Sequence, residues 1–284
     1  MAGPPTIPFT PHGPEVTRVG LGGEGVLRTF GRESEARVVI QEALSLGVTY
    51  FDTAPAYSGS QGYLGSIWAE QPEARKAVFH TSKSAGRTYA EAMQDLERTL
   101  ETLRTDTLDL WQIHDVRTPD DVRRIEAEDG ALKAFVRARE EGTVGRIGVT
   151  GHHDPEVLET CVRRWPLDSV LLPSNPAETV LGGFLDRVVL EAEDRGMAVI
   201  GMKCLGGGQY VQPESGVSVD RLLRYALHAT GAHLIIVGCS SPAEVRSLVQ
   251  AAQRGPLQED DRIELERLFT PRASMLAFYR GGRM

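Results

Sequence analysis

The chain has 284 residues, 41% hydrophobic and 25% charged, enough to bury a full core in a single domain. Its formal charge of −8 argues against a nucleic-acid or anionic-membrane surface, which needs clustered Lys and Arg, so small molecules are the expected partners. Apolar runs fall far short of the ~18 to 20 residues that span a bilayer, and the Pro-rich start does not resemble a secretory signal.

Cys161, Cys204 and Cys239 are odd in number, widely spaced and without a C-x-x-C pairing. Neither a disulfide framework nor a cysteine zinc site is expected, and a reducing cytoplasm fits.

Residues 1–17, rich in Pro, Thr and Gly, read as an irregular lead-in. RVGLGGEG follows as a first strand running into glycines; Gly22, Gly23 and Gly25 either let a ligand approach the backbone or form a plain turn. Residues 34–46 keep helical apolar spacing and stop at Gly47. Next comes GVTYFDTAPAYSGSQGYLG, in which residues 48–51 read as a strand with Asp52 at its carboxyl end and Tyr57 five residues on. In an α/β barrel the loops after the strands form the reactive face, so this acid and phenol are site candidates, against the plainer reading of an N-capping Asp and a packed Tyr.

A helix from Tyr63 and a third strand over residues 77–82 follow, ended by Lys83. Alternation puts Lys83 on the face of Phe79 and Thr81, and Asp52 on that of Tyr50, so both ionisable groups point into one barrel mouth. Thr88 and Glu91 form a capping box for a long amphipathic helix. In TLDLWQIHD, His114 shares its face with Leu110 and Gln112, whereas Trp111 and Ile113 turn toward the helices.

After a helix over residues 130–141, GRIGVTGHHDP is a fifth strand ending in Thr150, Gly151, His152 and His153, with Asp154 and Pro155 opening the next helix. Residues 169–173, 198–202 and 234–237 complete the strands, alternating with helices over 184–195 and 219–229 and one opened by Ser241, Pro242 and Glu244. Eight strand-and-helix units predict a closed (β/α)8 TIM barrel, an α/β single domain over 1–284, with an open doubly wound sheet as runner-up. No G-x-G-x-x-G opens a helix where that alternative needs it.

Asp52, Tyr57, Lys83 and His114 thus lie at or just past the ends of the second, third and fourth strands. A tyrosine titrating near 10 needs a cation to act near neutrality, a buried ammonium needs a carboxylate, and a neutral imidazole can orient a carbonyl oxygen. Protonating that oxygen while hydride reaches carbon is carbonyl reduction.

These motifs resemble the aldo-keto reductases over essentially the whole chain. DTAPAY resembles the segment holding the catalytic Asp and Tyr, SQGYLG the S-E-x-x-L-G after it, Lys83 the strand-end Lys, and LDLWQIHD the strand ending in the catalytic His. GRIGVTG and IIVGCSSPAEV resemble the fifth strand and the coenzyme-binding eighth loop. The resemblance implies NAD(P)-dependent interconversion of a carbonyl and an alcohol without metal. It also implies coenzyme contacts from Gly22, Gly23, Thr150, Gly151, Asn175, Met202, Lys203, Leu205, Gly206, Gly238, Cys239, Ser240 and Glu244.

Thr150 and Gly151 stand where many members carry Ser-Asn, Leu171 or Leu172 near the carboxamide-binding Gln, and Met202 where a Tyr stacks on the nicotinamide. His152 and His153 are either solvated or contact substrate or coenzyme. Family habit favours NADPH, but small residues and Glu244 occupy the eighth loop, which predicts usable NADH. Two further readings are a coenzyme-binding regulatory subunit and a metal-dependent hydrolase using His114, His152 and His153. The tail over residues 271–284 either closes over the pocket or is disordered; oligomeric state and substrate identity are not legible.

Overall fold

A computed structural model describes residues 3–281. Ten strands occur in chain order: β1 (Thr6–Pro8), β2 (Glu15–Thr17), β3 (Val19–Gly25), β4 (Tyr50–Asp52), β5 (Phe79–Ser84), β6 (Leu110–Ile113), β7 (Ile147–Thr150), β8 (Ser169–Pro173), β9 (Ala198–Met202) and β10 (Leu234–Cys239). The last eight form a closed barrel in which every neighbouring pair is parallel, sealed where β10 pairs with β3. This is the (β/α)8 barrel that the alternation predicts.

Period-two alternation sets what lies inside. Tyr50, Phe79, Leu110, Leu171, Ala198, Ile200 and Leu234 form an interior apolar cluster, while Trp111 stacks outward on Phe135 at 3.6 Å. Two residues further along β4 and four along β5 the interior turns polar, with Asp52 and Lys83 both buried. The barrel therefore has an apolar lower end and a charged mouth.

The lead-in departs from the expectation of an irregular segment. β1 and β2 pair antiparallel, and the hairpin pushes Phe9 and Val16 into the interior cluster, with the Phe9 and Phe79 rings 4.6 Å apart. Strands of three residues are too short to reveal an alternating pattern, so contact with the barrel decides them. Other boundaries shift: β4, expected over 48–51, is Tyr50–Asp52, β5 starts at Phe79 and continues through Lys83 to Ser84, β10 reaches Cys239, and the helix expected over 184–195 divides into a π-helical turn, Phe184–Val188, and the α-helix Val189–Asp194.

Capping signals are realised at Thr88 with Glu91, where both bonds of the box form, and at Asp154, whose side chain accepts from Glu156 N–H. Of the tail, residues 282–284 lie outside the described residues. The rest forms a short turn and the helix Ala273–Leu276 packed against the helix Pro176–Leu181. Among the described residues no helix is long and apolar enough to cross a membrane.

Candidate active site

The mouth is built around one buried ion pair. Lys83 Nζ donates to Asp52 Oδ2 at 2.6 Å and to Thr53 O at 3.0 Å, while Asp52 Oδ1 accepts from Thr81 Oγ1 at 2.9 Å and faces Gln112 Nε2 at 3.5 Å. An ammonium and a carboxylate so far from water persist only when paired and hydrogen-bonded on their remaining sides. Burial alone would lower the Lys83 pKa, but Asp52 and Tyr57 outweigh it and hold it above its ordinary value. Lys83 is a fixed cation at neutral pH.

Tyr57 sits over that cation, Lys83 Nζ lying 4.7 Å from its ring centroid. Its loop leaves β4 through a turn closed by Tyr57 N–H to Ala54 O, with Gly59 N–H bonded to Thr29 O. Gly23 is required here: a Cβ on it would lie 2.7 Å from Tyr57 Cδ2 and 3.1 Å from Asp52 O. Gly22 similarly lets the backbone of β10 approach, with Val237 C 3.2 Å from where its Cβ would stand. Both glycines thus have packing reasons that do not invoke a ligand.

The pKa of Tyr57 runs against the simple expectation of a cation-stabilised phenolate. Burial pushes it up, the pull of Lys83 opposes this, and Asp52 and Glu24 add to the rise. Tyr57 is therefore a phenol at neutral pH, with a proton to give. His114 presents its ring edge-on to Tyr57 at 5.7 Å; burial, helped by Lys83, depresses its pKa to about 3, so it is neutral. Its backbone is held by Ser84 O and by the Arg87 guanidinium.

Beyond β6, Asp115 adopts a left-handed φ of 55°, held by its N–H to Thr150 Oγ1 at 2.8 Å. The Thr150 hydroxyl thus fixes the turn carrying His114. His152 Nε2 stands 3.6 Å from Asp115 Oδ1, and burial lowers its pKa to about 4. His153 lies apart, its carbonyl accepting from Gly281 N–H. Among the described residues no three His, Cys, Asp or Glu side chains converge on a metal-sized site, so the His114, His152 and His153 grouping is not assembled.

The tail closes against the end of β8. Asn175 Oδ1 caps the helix Pro176–Leu181, while its Nδ2 donates to Tyr279 Oη at 2.7 Å and Lys203 O at 3.4 Å. Tyr279 donates in turn to buried Glu178 at 2.8 Å, which Arg280 also pairs. The Asn175 amide, expected on the coenzyme, is thus engaged within the fold. Gly151, a second expected contact, gives its N–H to Leu171 O.

Most of the remaining residues expected on the coenzyme lie at the ends of β9 and β10. Met202 packs on the interior cluster, Lys203 and Gly206 take left-handed backbone, and Cβ atoms at Gly207 and Gly208 would meet nothing within 4 Å. Leu205 N-caps the short turn Gly206–Gly208, and buried Ser174 Oγ, packed beside Gly201, has no hydrogen-bond partner among the described residues. Gly238 makes room for Glu24, whose Cβ would lie 2.5 Å from a Cβ there. Cys239 is buried, its thiol pushed up to about 12 by that burial, so its backbone is what the loop offers. Ser240 N–H donates to Glu244 Oε2 at 2.7 Å, Ser241 Oγ caps Glu244 N–H, and Arg246 pairs with Glu42 at 2.6 Å. A carboxylate of the chain itself therefore occupies one donor at this helix start.

Sequence reasoning brought Asp52, Tyr57, Lys83 and His114 together but not the residues that support them. Thr81 and Gln112 lie on the faces of Lys83 and His114, so alternation could have enrolled them. Tyr279 and Arg280 belong to the tail expected either to close over the pocket or to be disordered, but their partner Glu178 carries no periodic signal, since they meet it across about a hundred positions.

The profile of the Aldo/keto reductase family matches residues 18–215. An uncharacterized oxidoreductase of Bacillus subtilis, YqkF, is 22% identical over 87% of this chain and 90% of its own length. An L-galactose dehydrogenase of Arabidopsis thaliana is 28% identical over 49% of this chain, which spans 46% of that enzyme. Among solved structures, an aldo-keto reductase from Klebsiella pneumoniae in complex with NADPH superposes with a TM-score of 0.76 at 19% identity, covering 94% of this chain and 95% of the other, a likeness of fold. With the profile covering well over half its length on this barrel, the chain belongs to the aldo/keto reductase family of NAD(P)-dependent oxidoreductases.

Proposed function

We propose that the chain, acting as one domain, interconverts an aldehyde, ketone or sugar carbonyl with its alcohol, and that Tyr57 is the general acid and base. The observation that carries this reading is the Lys83–Asp52 pair buried beneath a protonated Tyr57, with neutral His114 edge-on beside it. Bound NADPH or NADH would supply the hydride. Tyr57 Oη gives its proton to the carbonyl oxygen, and the charge left on the phenolate is met by the Lys83 ammonium. His114, neutral, donates a hydrogen bond that orients that oxygen, while Asp52 and Thr81 hold Lys83 in place. In the reverse direction the phenolate takes the proton back.

The coenzyme would rest on the glycine turn Gly206–Gly208 and the backbone of Gly238, Cys239 and Ser240, with Met202 toward the ring. His152, close enough to His114 to affect its titration, is the better candidate of the histidine pair for a substrate contact, since His153 faces the tail. The three buried thiols suit a reducing cytoplasm.

Replacing Tyr57 by Phe tests the role directly. The ring, its packing on Gly23 and the cation beneath it remain, while the proton is lost. Reduction should fall at least ~10²- to 10⁴-fold, with coenzyme affinity near wild type. Full turnover in Tyr57→Phe would remove Tyr57 from the mechanism.

A further inference from the structure

We propose that Arg28 is an anion anchor of the substrate pocket, and that the preferred substrates carry a carboxylate or phosphate a few bonds from the reacting carbonyl. The inference rests on the reading of Tyr57 as the reactive phenol and goes beyond it to the substrate class.

Arg28 ends the short helical turn Val26–Arg28 that follows β3, and its guanidinium lies 5.4 Å from the Tyr57 ring centroid. Its one hydrogen bond among the described residues is to Glu24, at 2.7 Å. That leaves most of the five guanidinium N–H donors free, in a fork that matches a carboxylate or phosphate. Both side chains of the pair are about half exposed, at 48% and 43%, so the bond to Glu24 is weak and exchangeable.

The loop that presents Arg28 is stiff. Thr29 Oγ1 bonds to Val26 O, and Thr29 O accepts from both Gly59 N–H and Tyr63 Oη, tying it to the loop that carries Tyr57. The backbone that carries Arg28 is thus tied to the loop that carries Tyr57, which keeps the guanidinium within reach of the phenol while leaving it free to turn from Glu24 to a substrate anion. Two other guanidinium groups near the mouth are already held, Arg117 by Asp115 through two hydrogen bonds and Arg87 by Asp121 and the carbonyls of His114 and Asp115. Glu24 acts as the resident counter-ion that a substrate anion displaces.

The test compares matched aldehydes, 4-carboxybenzaldehyde against 4-nitrobenzaldehyde and glyceraldehyde 3-phosphate against glyceraldehyde. Turnover of the neutral members reports on the proposed function alone. In Arg28→Gln the ratio of kcat/KM for anionic over neutral aldehyde should fall about ten- to a hundredfold through KM, with partial recovery in Arg28→Lys. Glu24→Gln should raise the same ratio. The carboxylate and phosphate pairs show separately which anion is preferred.

Binding of the alcohol product 4-(hydroxymethyl)benzoate, weakened by a similar factor in Arg28→Gln, reads the site without turnover. An unchanged ratio with unchanged product binding overturns the proposal, leaving Arg28 as a cover for Tyr57. A comparable loss of NADPH affinity, measured by fluorescence titration, also overturns it by assigning Arg28 to the coenzyme.

Discussion

At the scale of single residues, the site works through charges that burial has fixed. His114 and His152 titrate at about 3 and 4, both lowered chiefly by burial, so neither changes charge between pH 5 and 8. Reduction should therefore show no acid limb in that range and should decline only at alkaline pH, as Tyr57 loses its proton above the ordinary phenol value of about 10. Removing the cation takes away the influence that pulls Tyr57 down. Lys83→Met alone leaves Asp52 buried and unpaired, at a cost of about 3 to 5 kcal/mol, so Asp52→Asn is best made with it. The Lys83 effect on Tyr57 exceeds that of Asp52, so the double variant should move the alkaline limb upward and reduce more slowly. A pH profile in which the limb stays put would refute the coupling. The same histidine shifts act on stability. Below the ordinary value of 6.5 the unfolded chain takes up protons that folded His114 and His152 refuse, so stability falls as pH drops from 6.5 toward 4 and is intact above it.

At the scale of elements, the proposed coenzyme contacts put the choice between NADH and NADPH on β10 and the helix Pro242–Gln253. A helix start is an anion site because its N–H groups point outward, but Glu244 already covers Ser240 N–H with its own carboxylate. Arg246, the nearest cation in sequence, turns away to Glu42. A 2′-phosphate placed about 6 Å from Glu244 would meet ~2 to 3 kcal/mol of repulsion per unit charge at an effective dielectric near 20, reduced by exposure and salt. NADH should accordingly be usable, and Glu244→Arg should raise the NADPH to NADH ratio of kcat/KM by about tenfold or more. A wild type that strongly prefers NADPH would show instead that Glu244 swings off Ser240 when the phosphate arrives. The capping signature was legible in SSPAE, yet which N–H the carboxylate reaches was not, because Ser240 and Ser241 offer competing donors one residue apart.

At the scale of the whole molecule, the barrel separates chemistry from stability. Phe9 fills the lower end against Phe79 and Tyr50, with the charged mouth at the other. Phe9→Ala should cost about 3 to 5 kcal/mol in urea unfolding while leaving kcat for a neutral aldehyde within about twofold. A loss of kcat with stability retained would mean that the hairpin supports the site. The sequence alone determined the eight alternating units and the gathering of Asp52, Tyr57, Lys83 and His114 at one end of the barrel. Both follow from local rules: period two carries Asp52 onto the face of Tyr50 and Lys83 onto that of Thr81, and parallel pairing brings adjacent strand ends together. Only the tertiary structure decided the hairpin plug, the hold of Tyr279 on Asn175, the setting of Arg28 beside Tyr57, and the sign of the Tyr57 shift. Asn175 and Tyr279 are 104 positions apart, and Arg246 and Glu42 are 204 apart, so no local pattern pairs them. The Tyr57 shift is a balance between one cation and the water excluded by every group around the ring, and that exclusion exists only once the barrel has closed.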